Sequence, residues 1–151
     1  MYSTVQEVRD MIKPDMVNSL VDDIFPESEE DEEDKAAKLN EIIEAAVKDA
    51  DAEIDGYLNK RYPTPLHSPP AVINKLSKDI ALYNILSRNG MLRDERENNY
   101  FERYKYAIKF LENVAKGIAD IGITVPAQKA NTGFSIVSNI KIFGRNNMSG
   151  M

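Results

Sequence analysis

Three groups of residues in this sequence could do chemistry. His67 could move a proton or hold a metal ion. The acids between Glu27 and Asp34 offer many oxygen ligands. Asp51, Glu53 and Asp55 bring three carboxylates within five positions. His67 is the single histidine of the chain and sits in a proline-rich stretch with no acid or nucleophile beside it, so a multi-histidine metal site is excluded and a surface or packing role is expected. The acidic run has neither a glycine turn nor alternating aspartates, which rules out an EF-hand loop. It is expected to be a solvated charged loop, with a weak cation site or an electrostatic role as the alternatives. On a helix, Asp51 and Asp55 share a face and Glu53 does not. Nothing nearby supplies the other half of a catalytic pair, so a wet helix face is expected there.

The remaining chemistry is thin. There is no cysteine, which removes disulfides, thiolate catalysis and thiolate-ligated metals. No G-x-G-x-x-G, P-loop or G-x-S-x-G pattern occurs. Tyr57, Tyr62, Tyr83, Tyr100, Tyr104 and Tyr106 fall mostly on apolar stripes, where a tyrosine buries its ring and keeps its hydroxyl at the edge. Basic residues are dispersed, giving little support to sequence-specific DNA binding. The residues therefore point to an interaction protein with no enzymatic activity, no cofactor and no metal.

The charge is equally local. The chain of 151 residues has a formal net charge of −6, from 25 acids and 19 bases. Seven of the acids lie in the eight residues Glu27 to Asp34; without them, 18 acids face 19 bases. Hydrophobic content of 42% with 29% charged residues fits one globular domain. The longest run free of Asp, Glu, Lys and Arg is the 13 residues Tyr62 to Asn74, which contains four prolines. That falls short of the ~20 apolar residues of a membrane helix. The opening residues carry no signal-peptide pattern. The chain is expected to be intracellular, in the cytoplasm of its host cell, when made.

Helices must position these residues. Thr4 and Glu7 have capping-box spacing, and Val5, Val8, Met11 and Ile12 continue a helical stripe to Pro14. Met16, Val17, Leu20, Val21 and Ile24 form a second short stripe ended by Pro26. The strongest signal runs from about Asp34 to Arg61, with Leu39, Ile42, Ile43, Ala46, Val47, Ala50, Ile54, Tyr57 and Leu58 on one side. Glu44 and Lys48 add a favourable pair on the wet side, and Lys60 and Arg61 suit the negative end of the helix dipole. Tyr62 to Pro70 cannot be helical and is expected to run extended. Ser68-Pro69-Pro70 reads as a cap and first turn for a third stripe of Val72, Ile73, Leu76, Ile80, Tyr83 and Leu86, which stops at Asn89-Gly90. Asp94 and Glu97 restart a fourth: Tyr100, Phe101, Tyr104, Ile108, Leu111, Val114 and Ala115, ended by Lys116-Gly117.

Beyond Gly117 the pattern changes. Phe134, Ile136, Ile140 and Ile142 share one parity, as in a strand. A lone strand is not stable in water, so this one either pairs outside the monomer or stays frayed in the free protein. The expected fold is mainly α: a small bundle of about four to five helices over residues 1–120, with the acidic loop at 27–34, followed by an extended, partly strand-like C-terminal arm over 121–151.

Five segments in this order resemble one family, the small head–tail connector proteins of Mu-like phages and prophages. They are Met1-Tyr2-Ser3-Thr4-Val5-Gln6-Glu7-Val8-Arg9; Asp51 to Leu58 with Arg61-Tyr62-Pro63-Thr64-Pro65-Leu66; Pro70 through Tyr83, including Lys78-Asp79-Ile80-Ala81; Arg103 to Leu111 leading into Val114-Ala115-Lys116-Gly117; and the ending Phe143-Gly144-Arg145 with Met148 to Met151. The acidic run is longer than the family pattern, and Ile118 to Gly133 matches it poorly.

The resemblance implies a structural virion protein of the neck, with no catalysis. Such subunits are helical bundles that assemble, after DNA packaging, as a homo-oligomeric ring beneath the portal protein, expected to be a dodecamer. The ring extends the DNA channel, lies close to DNA without reading it, and docks the next neck or tail protein. Phe134, Ile136, Ile140, Ile142, Phe143 and Arg145 are then the expected partner-binding residues. Glu29, Glu30, Asp31, Glu32 and Glu33 form an acidic element that either repels DNA in the channel or steers a basic partner. The competing expectation is a cellular helical adaptor without catalytic activity, which would be a monomer or dimer with one exposed apolar patch.

Overall fold

The longest apolar stripe forms the longest helix. A computed structural model describes residues 1–13, 16–17, 20, 32–88 and 95–123 of the chain. Four helices have described bounds: α1 (Val5–Arg9), α2 (Glu32–Leu58), α3 (Ala71–Arg88) and α4 (Glu95–Ala115); Met16, Val17 and Leu20 are also helical. Leu39, Ile43, Val47, Ala50, Ile54 and Leu58 recur along one side of α2, and all are buried. Each large apolar side chain buried this way contributes about 1.5–3 kcal/mol relative to exposure. Ile73, Leu76, Ile80, Leu82, Ile85 and Leu86 of α3 and Ala107, Leu111 and Val114 of α4 complete one core. The chain is mainly helical, as its periodicity indicates, and forms a small helical bundle.

Helix ends follow the local chemistry. Thr4 and Glu7 form the expected capping box: the Thr4 N–H donates to Glu7 Oε2 at 2.8 Å, and the Glu7 N–H donates to Thr4 Oγ1 at 3.2 Å. α3 starts at Ala71. The carbonyl of Pro70 accepts from the N–H groups of Ile73 (2.9 Å) and Asn74 (3.3 Å), so Pro70 is the cap and not part of the first turn. α4 ends in a Schellman motif on Gly117, whose φ is +78°. There the Gly117 N–H donates to Val114 O at 3.0 Å and the Ile118 N–H to Asn113 O at 2.9 Å.

α2 begins at Glu32, two residues before the expected start. Glu32, Glu33 and Asp34 are therefore helical, which corrects the loop boundary drawn through Asp34. Acids in a first turn complement the positive end of the helix dipole, so the sequence extends the helix upstream at little cost. The pair Glu44–Lys48 closes at 2.7 Å as its spacing indicates. The helix stops at Leu58, before Lys60 and Arg61, which lie just beyond it. The linker from Tyr62 to Pro70 is non-helical and has a cis Thr64–Pro65 bond.

Side-chain pairs fix the helix directions. Asp79 of α3 meets Arg103 of α4, and Lys75 of α3 sits 5.5 Å from the ring centre of Tyr106 in α4, so these two helices are antiparallel. Glu53 of α2 meets Tyr104, and Arg61 just past α2 meets Val114, so α2 and α4 run parallel. Packing against the bundle continues after α4, through buried Ile121 and half-buried Ile123.

Candidate functional site

The most connected polar group of atoms lies where the N-terminal segment crosses α2 and α3. Tyr2 is buried, and its backbone and hydroxyl both find partners. Its N–H donates to Asp51 Oδ2 at 2.9 Å, and its carbonyl accepts from Asn74 Nδ2 at 2.9 Å. Its hydroxyl donates to Asp55 Oδ1 and accepts from the Leu66 N–H at 2.9 Å. Beside it, the Ser77 hydroxyl donates to Asp51 Oδ1 at 3.0 Å. Ser3 Oγ stands 2.8 Å from Ser77 Oγ, and because Ser77 has committed its proton, Ser3 is the donor. Asn74 also reaches Glu7, at 3.2 Å to Oε2.

This arrangement overturns the wet-face expectation for Asp51 and Asp55. The two carboxylates do share a face, as helix geometry requires, but that face holds the start of the chain. Their environment shapes Tyr2 in turn. Burial, followed by the hydrogen bond to Asp55, pushes its hydroxyl pKa up to about 12. Glu7 is shifted the other way. The Thr4 N–H first, then the Asn74 amide and the Lys78 charge, hold its carboxyl below the usual 4.5. Each residue of the network meets at least one other member, so the network binds the N-terminal segment, α2, α3 and the linker together.

Further polar contacts cross the bundle. Asp79, 3% exposed, is paired with the Arg103 guanidinium, and Lys75 Nζ lies 4.0 Å from its other oxygen. Arg61 Nη1 donates to the carbonyls of Val114 and Ala119, at 3.1 Å each, placing a cation at the negative end of α4. Glu53, the third carboxylate of the sequence cluster, accepts from Tyr104 at 3.2 Å. Tyr104 stacks on Tyr83 with ring centres 4.2 Å apart, and burial, reinforced by the Glu53 charge, raises its pKa to about 12.

The remaining candidates are placed simply. His67 is exposed on the linker. Among the described residues, no group of three or more acidic or histidine side chains is placed to hold a metal ion. No helix among them is long and apolar enough to cross a membrane. Glu33 is exposed on the first turn of α2. Glu29, Glu30, Asp31 and the arm residues Phe134, Ile136, Ile140, Ile142, Phe143 and Arg145 lie outside the described residues.

Several of the segments set out above now have structural tasks. Tyr2 and Ser3 anchor the entry, Asp51 and Asp55 receive them, Arg61 and Tyr62 brace the exit of α4, and Asp79 holds Arg103. Residues 2–138 match the family described as Bacteriophage Mu, Gp36. The chain belongs to the Mu Gp36 family. A relative from Haemophilus influenzae, the Mu-like prophage FluMu protein gp36, is 32% identical over 119 residues, covering 77% of this chain and 80% of the relative. Within a Gp36 protein, the Tyr2 network was the feature least visible in advance. Its sequence signals were an N-terminal tyrosine and a pair of aspartates four apart, separated by about fifty positions.

Proposed function

We propose that this Gp36 protein is a head–tail connector subunit of a Mu-like phage or prophage. Copies assemble as a ring beneath the portal, extend the DNA channel and present a docking surface to the next neck or tail protein. The observation that carries this proposal is the family match spanning nearly the whole chain, on a helical bundle whose polar clusters serve packing. The resemblance of the same segments to connector proteins supplies the ring and its position. The proposal includes no catalysis and no cofactor. Ring contacts of this kind are heterologous and close by rotation. The arm residues Phe134, Ile136, Ile140, Ile142, Phe143 and Arg145 are its proposed contact with a neighbouring copy or the portal, by strand addition.

Native mass spectrometry and negative-stain microscopy of the chain mixed with portal rings test the proposal. A ring of this protein, of the same order as the portal, is expected on one face of the portal. Truncation after Gly133 is expected to leave helicity intact and to abolish that association. A full-length chain that remains unassembled in the presence of portal would overturn the proposal.

A further inference from the structure

Residues 1–9 are docked on the bundle and not woven through it. Beyond their own turns, their hydrogen-bond and ion-pair partners among the described residues lie on α2, the linker and α3, and none lies on α4. Arg9 Nη1 donates to Asn40 Oδ1 of α2 at 3.0 Å, and Lys78 Nζ of α3 lies 3.8 Å from Glu7 Oε1. Apolar burial in the segment rests on Tyr2 and Val8, with Val5 half-buried. Its helix has five residues, well below the ~12–15 at which an isolated helix becomes even marginal in water. The capping box alone cannot hold such a segment in shape once it leaves the bundle. The three long helices, in contrast, bury Ile54, Leu58, Ile80, Ile85, Leu111 and Val114 against one another.

One side chain closes the dock at both ends. Asn74 Nδ2 donates to the Tyr2 carbonyl at 2.9 Å and reaches Glu7 Oε2 at 3.2 Å. The first acceptor precedes α1 and the second lies in its first turn. Glu7 Oε2 also accepts the Thr4 N–H at 2.8 Å, so the capping of α1 and its docking use one carboxylate. Bonds that share a group are coupled, and the loss of one weakens the other. The Tyr2 hydroxyl carries the coupling outward, because it accepts the Leu66 N–H of the linker at 2.9 Å.

We infer that residues 1–9 form a latch, pinned by Asn74, that opens and recloses while α2, α3 and α4 stay packed. Proteins open in cooperative units, and the units with the least buried apolar contact open most readily. The latch has little such contact and the long helices have much. Open, it uncovers the buried Ser77 and the half-buried Asp51 and releases the Leu66 N–H. The latch is thus a gate on the α2–α3 face, which is accessible at Ser77 only in the open form. This opening is a property of the single chain and does not depend on assembly.

Amide hydrogen exchange of the full chain, followed by NMR at rising, sub-denaturing urea, tests the latch. The N–H groups of Thr4, Glu7, Val8 and Leu66 report on it, since each is bonded within it or to it. Those of Val47, Ile80 and Leu111, inside the three long helices, report on the bundle. Latch amides are expected to be protected at least about tenfold less than bundle amides, with little urea dependence, because local opening exposes little surface. Bundle amides are expected to follow the urea dependence of global unfolding. Asn74→Asp sets a carboxylate against the Tyr2 carbonyl and Glu7. It is expected to lower protection about tenfold or more at all four latch amides, Leu66 included, with helix content retained and the bundle amides still protected. Equal protection and equal urea dependence of the two sets in the wild type overturns the latch. An Asn74→Asp variant whose Leu66 amide keeps wild-type protection overturns its pinning by Asn74. The wild-type comparison needs no substitution, so it decides the matter even if Asn74→Asp fails to fold.

Discussion

Asp51, in the last third of α2, accepts the main-chain N–H of Tyr2 at 2.9 Å. The same carboxylate accepts the Ser77 hydroxyl through its other oxygen, so one side chain joins the entry of the chain, α2 and α3. Tyr2 adds the Leu66 N–H, bringing in the linker. The segment before α1 is thus fixed by hydrogen bonds in the absence of regular secondary structure.

Tyr2→Phe removes one donor and one acceptor from this junction and leaves the Leu66 N–H and Asp55 without their partner. A loss of about 1–3 kcal/mol is expected, measured as a lower urea midpoint with an unchanged slope. Tyr2→Ala adds a cavity and is expected to cost about 3–5 kcal/mol. Equal midpoints for wild type and Tyr2→Phe would show the hydroxyl to be dispensable.

The pair Asp79–Arg103 behaves as a buried charge held by a half-exposed one. Arg103→Met strands the Asp79 carboxylate and is expected to destabilise by about 3 kcal/mol, the lower end for a broken buried pair, because the arginine side chain retains 37% accessibility. Asp79→Leu combined with Arg103→Met is expected to recover much of that loss. A double-mutant cycle on thermal melts measures the coupling.

Gly117→Ala is expected to cost about 1–2 kcal/mol through its positive φ of +78° alone, since the nearest atom to an added Cβ is Arg61 Cζ at a comfortable 3.8 Å. Arg61→Ala, at the same corner, frees the Val114 and Ala119 carbonyls. The two substitutions share a structural element, so their costs should not add. Calorimetric midpoints of the two single variants and the double variant check this.

Stability should depend on pH at both extremes. The Glu7 carboxyl is held below 4.5 in the fold, so its contribution is present above that value and is lost as the pH falls through the lowered pKa. The Glu7→Gln variant should therefore show a smaller acid-induced loss than the wild type. Tyr2 and Tyr104, both at about 12, favour the fold fully below pH 10, and that contribution is lost between 10 and 12. Absorbance titration should show two tyrosines ionising late, one fewer in Tyr2→Phe.

The bundle was legible because local periodicity and burial coincide. Leu39 through Leu58 read as one stripe and form one buried face, and the box of Thr4 and Glu7 needs only its own turn. The polar junctions were not legible, because their partners are far apart in sequence. Tyr2 meets Asp51 across 49 positions, and Arg61 meets Val114 across 53. Asp79 has Lys75 one turn before it as a local counter-charge, and nothing in the sequence marks the distant Arg103 as its partner. Glu32 and Glu33 read as loop because the apolar stripe that marks the helix first shows at Leu39, downstream of them. Phe101 counted with the α4 stripe yet is exposed, while Tyr106, off that stripe, is exposed as its position requires.

The corner made by Arg61, Gly117 and Tyr62 fixes the path of the chain just after α4, and Ile123 is the last described residue packed on the bundle. The 28 residues that follow Ile123 in this sequence are thereby tethered at a defined point. Fully extended, they reach at most about 95 Å from it, at ~3.4 Å per residue. In the proposed connector, a target within that radius would meet the arm at an effective concentration set by the tether. Loosening the corner would blur the origin of that radius without altering any residue of the arm.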